Sequence, residues 1–167
     1  MGLKLGDLPS ETEIYVDANI FLYSAFKHPT FGDNCREFLI KMDEGGITGC
    51  ASDFVLNEVF HKLMIAEVVK KFKKTTKEVV TYIKRNSEVI SNLEIIWREM
   101  DIIESSNVII LEDRSSLFPD FVEISRMYNL MATDAMHVSV MKKHGITNIA
   151  TNDRDFERIE WLNVWKP

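Results

Sequence analysis

Four carboxylates stand where acids are uncommon, among apolar neighbours. Asp17 closes the run Ile14-Tyr15-Val16, and Glu58 lies inside the pattern Phe54-Val55-Leu56-Asn57-Glu58-Val59-Phe60. Asp134 opens Asp134-Ala135-Met136-His137-Val138, and Asp153 follows Ile149-Ala150-Thr151. A charge taken out of water is costly unless something pairs with it. Four such acids spread along one chain point to a shared cation, and oxygen-only ligands suit Mg²⁺ or Mn²⁺. Three of them also have local readings. Asp17 before Ala18-Asn19 suits a helix cap, Asp134 suits the positive end of a helix dipole, and Asp153 within Asn152-Asp153-Arg154-Asp155 suits a turn. Glu58 is the hardest to assign to local structure, because it sits in a helix interior beside Phe54, Val55 and Val59.

The elements that must position these acids alternate between strand and helix. Residues 13–17 read as a short buried strand. The helical pattern 35–42 stops at Gly45-Gly46. Residues 47–51 suit a second strand, after which Ser52 or Asp53 caps a helix to about Phe72 with apolar rows Val55, Val59, Leu63 and Leu56, Phe60, Met64. Thr75-Thr76 interrupts, 77–85 is a short helix, and 87–104 is helical through Ile90, Leu93, Ile96, Trp97 and Met100. Val108-Ile109-Ile110 is a strand, and Pro119 opens a helix to Tyr128. Thr133 is placed to cap a helix from Asp134 to His144, ended by Gly145. Residues 148–151 form a strand, and 162–164 one more at the sheet edge. This order specifies an α/β fold with a mostly parallel sheet. In such sheets the ligand crevice lies outside the C-terminal strand ends. Asp17 and Asp153 reach it from strand ends, and Asp134 and Glu58 from the first turns of helices. Clustered like charges raise their own pKa values. A divalent ion removes that conflict and can activate a water toward phosphorus.

The 167 residues suit one domain, 1–167, with a core of its own, and 46% hydrophobic with 28% charged residues is a soluble globular composition. Cys35 and Cys50 alone give neither a zinc pattern nor a disulfide framework, which indicates a reducing cytoplasm. No apolar stretch is long enough to span a bilayer, and MGLKLGDLPSETE has neither a signal-peptide core nor the Ser or Thr at position 6 of a myristoylation motif. The net charge of −6 argues at first against a nucleic-acid partner. Residues 62–85, however, carry Lys62, Lys70, Lys71, Lys73, Lys74, Lys77, Lys84 and Arg85 against Glu67 and Glu78, a local excess on an acidic body. Such a run reads as an ordinary solvated helical face or as a footprint for phosphates. On the second reading Lys70, Lys71, Lys73 and Lys74 contact RNA.

The segments Val16-Asp17-Ala18-Asn19-Ile20-Phe21-Leu22, Leu56-Asn57-Glu58-Val59, Ala132-Thr133-Asp134-Ala135-Met136-His137 and Thr151-Asn152-Asp153-Arg154-Asp155-Phe156 resemble, in order, those of the PIN domain family. In size the chain resembles the VapC-type toxins. The resemblance implies a PIN-like three-layer α/β/α fold, helix-rich, with a central mostly parallel sheet. It implies a metal-dependent ribonuclease in which Asp17, Glu58, Asp134 and Asp153 gather Mg²⁺ or Mn²⁺. Glu58 would complete the shell or orient the attacking water. Asn19 and Thr151 match polar positions that support the metal site, and Asp155 a second acid that supports rather than ligates. It also implies a homodimer and, for toxin members, a small antitoxin that holds them inactive. One departure is the charged helical section 62–104, longer than a minimal toxin of this type needs.

Two other readings use the same residues. Glu58-Val59-Phe60-His61 and Asp134-Ala135-Met136-His137 are acid-x-x-His units of the kind found in di-iron bundles, although the strands do not belong in a bundle and a helical histidine is commonly a packing or surface residue. A binding module would keep the acids structurally and grip RNA or a protein through its basic helix, in RNA processing without a toxin role. No Gly-x-Ser-x-Gly elbow and no Walker-type loop is present.

Overall fold

The computed structural model describes residues 2–112 and 116–167. Its strands are β1 (Leu3–Lys4), β2 (Glu13–Val16), β3 (Thr48–Ser52), β4 (Ile109–Leu111), β5 (Asn148–Ala150) and β6 (Asn163–Lys166). Its helices are α1 (Ala18–Ala25), α2 (Gly32–Asp43), α3 (Asp53–Phe72), α4 (Val79–Arg85), α5 (Ile95–Glu104), α6 (Phe118–Tyr128) and α7 (Ala132–His144). The strands form one sheet in the order β1-β6-β5-β2-β3-β4, and every pairing is parallel. The expected α/β class and parallel sheet are therefore what the chain adopts.

Parallel strands in the middle of a sheet are covered on both faces and read as unbroken apolar runs. Ile14, Tyr15 and Val16 of β2, Cys50 and Ala51 of β3, and Ile149 and Ala150 of β5 are fully buried accordingly. At the outer edge, Ile109 and Ile110 of β4 are exposed. Parallel neighbours cannot be joined by tight turns, so helices lie in the connections between them. The chain moves from β2 outward through β3 to β4, then returns through α6 and α7 to β5 on the other side of β2. The order reverses between β2 and β5, so the segments leaving these two strands diverge and open a crevice at their C-terminal ends. Gly45 and Gly145 adopt left-handed backbone (φ +79° and +71°) just past α2 and α7, the conformation their helix-ending role requires.

Three local expectations are corrected. The helix-cap reading of Asp17 is not among them: Asp17 opens a full helix, α1, which buries Ile20, Phe21 and Leu22. Helix α7 begins at Ala132, so Thr133 lies inside the first turn and caps nothing. The strand near 162–164 runs 163–166 and is not the edge, because the two-residue β1 pairs outside it. A two-residue strand has too few positions for any alternation to be visible.

The third correction concerns 87–104, which is not one helix. A 3₁₀ turn (Ser87–Asn92) ends at Leu93, and α5 restarts at Ile95. The break is made by α3: the buried Glu67 carboxylate accepts hydrogen bonds from the Glu94 N–H (2.7 Å) and the Ile96 N–H (2.9 Å). A tertiary carboxylate thus serves as the N-terminal cap that the local sequence lacks. Lys71, one turn on, donates to the Asn92 carbonyl (2.7 Å) and pairs with Glu94 (3.1 Å). Among the described residues no helix is long and apolar enough to cross a membrane. Cys35 and Cys50 are free, buried thiols, each pushed up to about 12 by burial.

Candidate metal centre

The crevice is organised by Asp17 and Thr151, which lie at the ends of the adjacent strands β2 and β5. Asp17 is almost wholly buried and caps α1, its Oδ1 accepting from the Ala18 N–H at 2.6 Å. Its Oδ2 accepts from the Thr151 hydroxyl at 2.6 Å and from Asn19 Nδ2. Thr151 Oγ1 in turn accepts from Asn19 Nδ2 (2.9 Å) and from the Asp153 N–H (3.0 Å). One hydroxyl therefore uses its single proton and both lone pairs, tying the β2 end to the loop that carries Asp153. Asn19 Oδ1 closes the network by accepting from the Asn152 N–H at 3.2 Å. Thr151→Val removes all three bonds at nearly constant volume. The expected result is a tenfold to hundredfold loss of metal affinity or activity, as is usual for supporting groups, with Thr151→Ser close to wild type. Equal metal titrations for the Val variant and the wild type would show that the network does not set the site.

Asp153 is exposed and accepts from the Asp155 N–H at 2.8 Å, so the turn reading of this acid holds locally. Asp155 is occupied elsewhere, its carboxylate paired with Arg158 at 2.7 Å. Asp134 occupies the first turn of α7, half-buried. Its carboxyl is raised above the usual range by burial and then by the charge of Asp153, with Asp17 and Asp155 adding to the effect. Asp17 is raised as well, chiefly by burial, with Glu58 contributing, while Thr151 and His137 oppose the shift. The like-charge conflict expected from the sequence is present, and it spans segments from across the chain.

Glu58 projects from the second turn of α3. The imidazole of His137 is the largest influence on it and, together with the Lys62 ammonium at 2.5 Å, lowers it to about 2 against the opposing effect of burial. Tyr15, Ser52 and His137 form a buried polar chain beneath it. The Tyr15 hydroxyl lies 2.6 Å from Ser52 Oγ and 3.0 Å from His137 Nδ1. This pairing explains why Ser52, at the N-cap position of α3, makes no side-chain cap.

Ligand atoms of Asp17, Glu58 and His137 lie within 4.8 Å of one another. The closest convergence among the described residues thus joins two of the four expected acids to an imidazole, with Asp134 and Asp153 close enough to act through their charge. Sequence reasoning treated His137 as a packing residue or an iron ligand. Its spacing of three from Asp134 was the available signal, since both then face the same side of α7. The di-iron reading fails on its first unit, because His61 is exposed on α3.

The four lysines expected to contact RNA lie near the far end of α3. At about 1.5 Å per residue, Lys70 is about 18 Å along the helix from Glu58. Lys71 is engaged in the α5 junction, and Lys74 lies over the Tyr82 ring at 4.6 Å. Lys70 and Lys73 are exposed, the latter at the left-handed end of α3.

A parallel-sheet α/β domain with carboxylates gathered where its strand order reverses is the class that fold and site define. The sequence pattern of the PIN domain family matches residues 14–162, and the chain belongs to that family. It is 26% identical over 156 residues to ribonuclease VapC2 of Methanocaldococcus jannaschii, covering 92% of this chain and 93% of that protein. It is 24% identical over 152 residues to ribonuclease VapC6 of the same organism, covering 89% and 97%. In fold it is similar to Mycobacterium tuberculosis VapC20, a sarcin-ricin loop cleaving toxin, with a TM-score of 0.60 at 17% identity over 91% of this chain and 98% of that one. It is also similar to VapBC2 from Rickettsia felis, solved bound to a promoter DNA fragment (TM-score 0.55, 18% identity, 92% and 98% covered).

Proposed function

We propose that this chain is a divalent-metal-dependent ribonuclease and the toxin of a toxin–antitoxin pair, with residues 1–167 acting as one domain. The observation that carries the reading is the convergence of Asp17, Glu58 and His137 within 4.8 Å, on a chain of the PIN family whose curated relatives are ribonucleases. The residues fit a hard cation: buried and half-buried carboxylates raised first by burial and then by one another's charge, both of which a bound dication offsets.

Asp17, Glu58, Asp134 and Asp153 would hold Mg²⁺ or Mn²⁺. The chemistry a bound dication supplies is a water of lowered pKa and charge stabilisation on the leaving oxygen of the phosphodiester. The protein's own contribution is positional. Thr151 and Asn19 hold the Asp17 carboxylate in one orientation, and Asp155 holds the turn that presents Asp153. Lys62, one helical turn beyond Glu58, places a cation at the crevice edge. Lys70 and Lys73 remain our candidates for phosphates of a substrate long enough to run along α3, whereas Lys71 and Lys74 serve the fold first.

A homodimer and a small antitoxin complete the reading. The apolar side chains Phe118, Val122 and Met127, exposed on α6, and Met131 just beyond it offer surface for such contacts. The free, buried thiols suit a reducing cytoplasm.

The test is cleavage of a structured RNA pool by the wild type and Asp17→Asn, each with Mg²⁺, Mn²⁺ or EDTA. Metal-dependent cutting lost in the variant is expected. Cutting that persists in EDTA, or in Asp17→Asn, would defeat the metal assignment.

A further inference from the structure

Among the described residues, Nε2 of His137 is buried and meets no hydrogen-bond partner. An orphaned buried polar atom is costly unless something meets it. The atom faces Glu58 Oε2 at 3.6 Å, too far for a hydrogen bond. That separation nevertheless suits two donors sharing one cation, since metal bonds of about 2.1 Å put such donors no more than about 4.2 Å apart. From these distances we infer that His137 Nε2 is a direct metal ligand beside Asp17 and Glu58, so that the centre is a mixed nitrogen–oxygen site that takes Mn²⁺ in preference to Mg²⁺. This rests on the metal-binding part of the proposed function and names its donor set.

The other side of the ring is built as a ligating histidine requires. Nδ1 lies 3.0 Å from the buried Tyr15 hydroxyl, which lies 2.6 Å from the buried Ser52 hydroxyl. With Nδ1–H donating to the phenol oxygen, and the phenol proton directed to Ser52, Nε2 keeps a lone pair aimed into the cluster. An outer partner on the second ring nitrogen is the usual arrangement for a metal-bound imidazole. Tyr15 and Ser52 come from β2 and β3, the strands that also lead to Asp17 and Glu58, so ring and carboxylates are registered by the same sheet. Mg²⁺ prefers oxygen and keeps its waters. A nitrogen donor shifts preference toward the transition metals, of which Mn²⁺ best tolerates the carboxylates around it.

The experiment loads the wild type with Mn²⁺ alone and records electron spin-echo modulation from ¹⁴N. Modulation of the strength given by a directly bound imidazole nitrogen is expected, and it should be absent in His137→Gln. In titrations of the same two proteins, Mn²⁺ affinity should fall by roughly tenfold to hundredfold or more in the variant, and Mg²⁺ affinity by much less. Bound Mn²⁺ in the wild type without ¹⁴N coupling would overturn the inference and leave the metal reading intact. Failure of the wild type to bind Mn²⁺ would overturn both.

Discussion

Asp134→Asn is expected to slow RNA cleavage on the order of a thousandfold and yet to melt higher than the wild type in EDTA. The opposite signs follow from one cause. The Asp134 carboxyl is half-buried, no hydrogen bond to it stands among those described, and burial followed by Asp153 raises its pKa. A carboxyl raised in the folded state binds more protons there than in the unfolded chain, so stability falls as pH climbs past its ordinary value. Asp17 acts in the same sense. Glu58, lowered to about 2, acts in the opposite sense: its contribution is present above about 4.5 and is lost as pH falls toward 2. In EDTA between pH 4.5 and 8 the Glu58 contribution is constant. The melting difference between Asp134→Asn and wild type should therefore widen as pH rises above the ordinary aspartate value, and level off once the folded carboxyl has ionised. Saturating Mn²⁺ should reverse it, since a ligand at a hundred times its Kd adds about 2.7 kcal/mol to the form that binds it. A variant that melts no higher than wild type at pH 8 in EDTA would mean that the acids do not strain the metal-free fold.

Glu67→Ala is expected to destabilise the protein by about 2–4 kcal/mol. At the usual few degrees per kcal/mol for a chain of this size, the melting temperature should fall by roughly 5–12 °C. Burial alone would raise the Glu67 carboxyl, but the backbone N–H groups of Glu94 and Ile96 outweigh it and hold the group below its ordinary value. Its removal leaves the first turn of α5 uncapped in a part-buried place and releases the α3–α5 junction that Lys71 also serves. Glu67→Gln keeps one acceptor oxygen and should lose about half as much. Urea melts give the totals, and hydrogen exchange at the Glu94 and Ile96 amides should locate the loss. A change below about 1 kcal/mol, or one without faster exchange at those amides, would show that the basic section 62–104 is held by its apolar contacts instead.

The proposed catalysis is a matter of how four segments meet, and the sequence exposes these segments unevenly. Asp17 and Glu58 were legible because each breaks an apolar pattern, and a charge in an apolar run requires a partner. Asp153 was legible only by its place after β5, since its surroundings are polar and its backbone is an ordinary turn. His137 was visible as a residue but not as part of the cluster. One helical histidine carries no sign of what faces it, and the groups that do, Tyr15 and Glu58, lie 122 and 79 positions away. The lysines of α3 show the reverse problem. They form a dense basic run in the sequence, but two of the four expected contacts are taken up by Asn92, Glu94 and Tyr82.

Period and punctuation are local properties, and the chain carries them openly. The buried strands, the helix ends at Gly45 and Gly145 and the alternation that produces a parallel sheet follow from hydrophobic spacing and backbone freedom within a few residues. The place of the crevice follows too, because any sheet that winds outward and then returns must reverse its order somewhere. Tertiary structure alone decided the rest. It placed β1 outside β6, broke 87–104 with a carboxylate from α3, and saturated the Thr151 hydroxyl between Asp17 and Asp153. It also turned His137 toward Glu58. Each of these is a contact between groups far apart in the chain, set by distances of a few tenths of an ångström that only the packed fold defines.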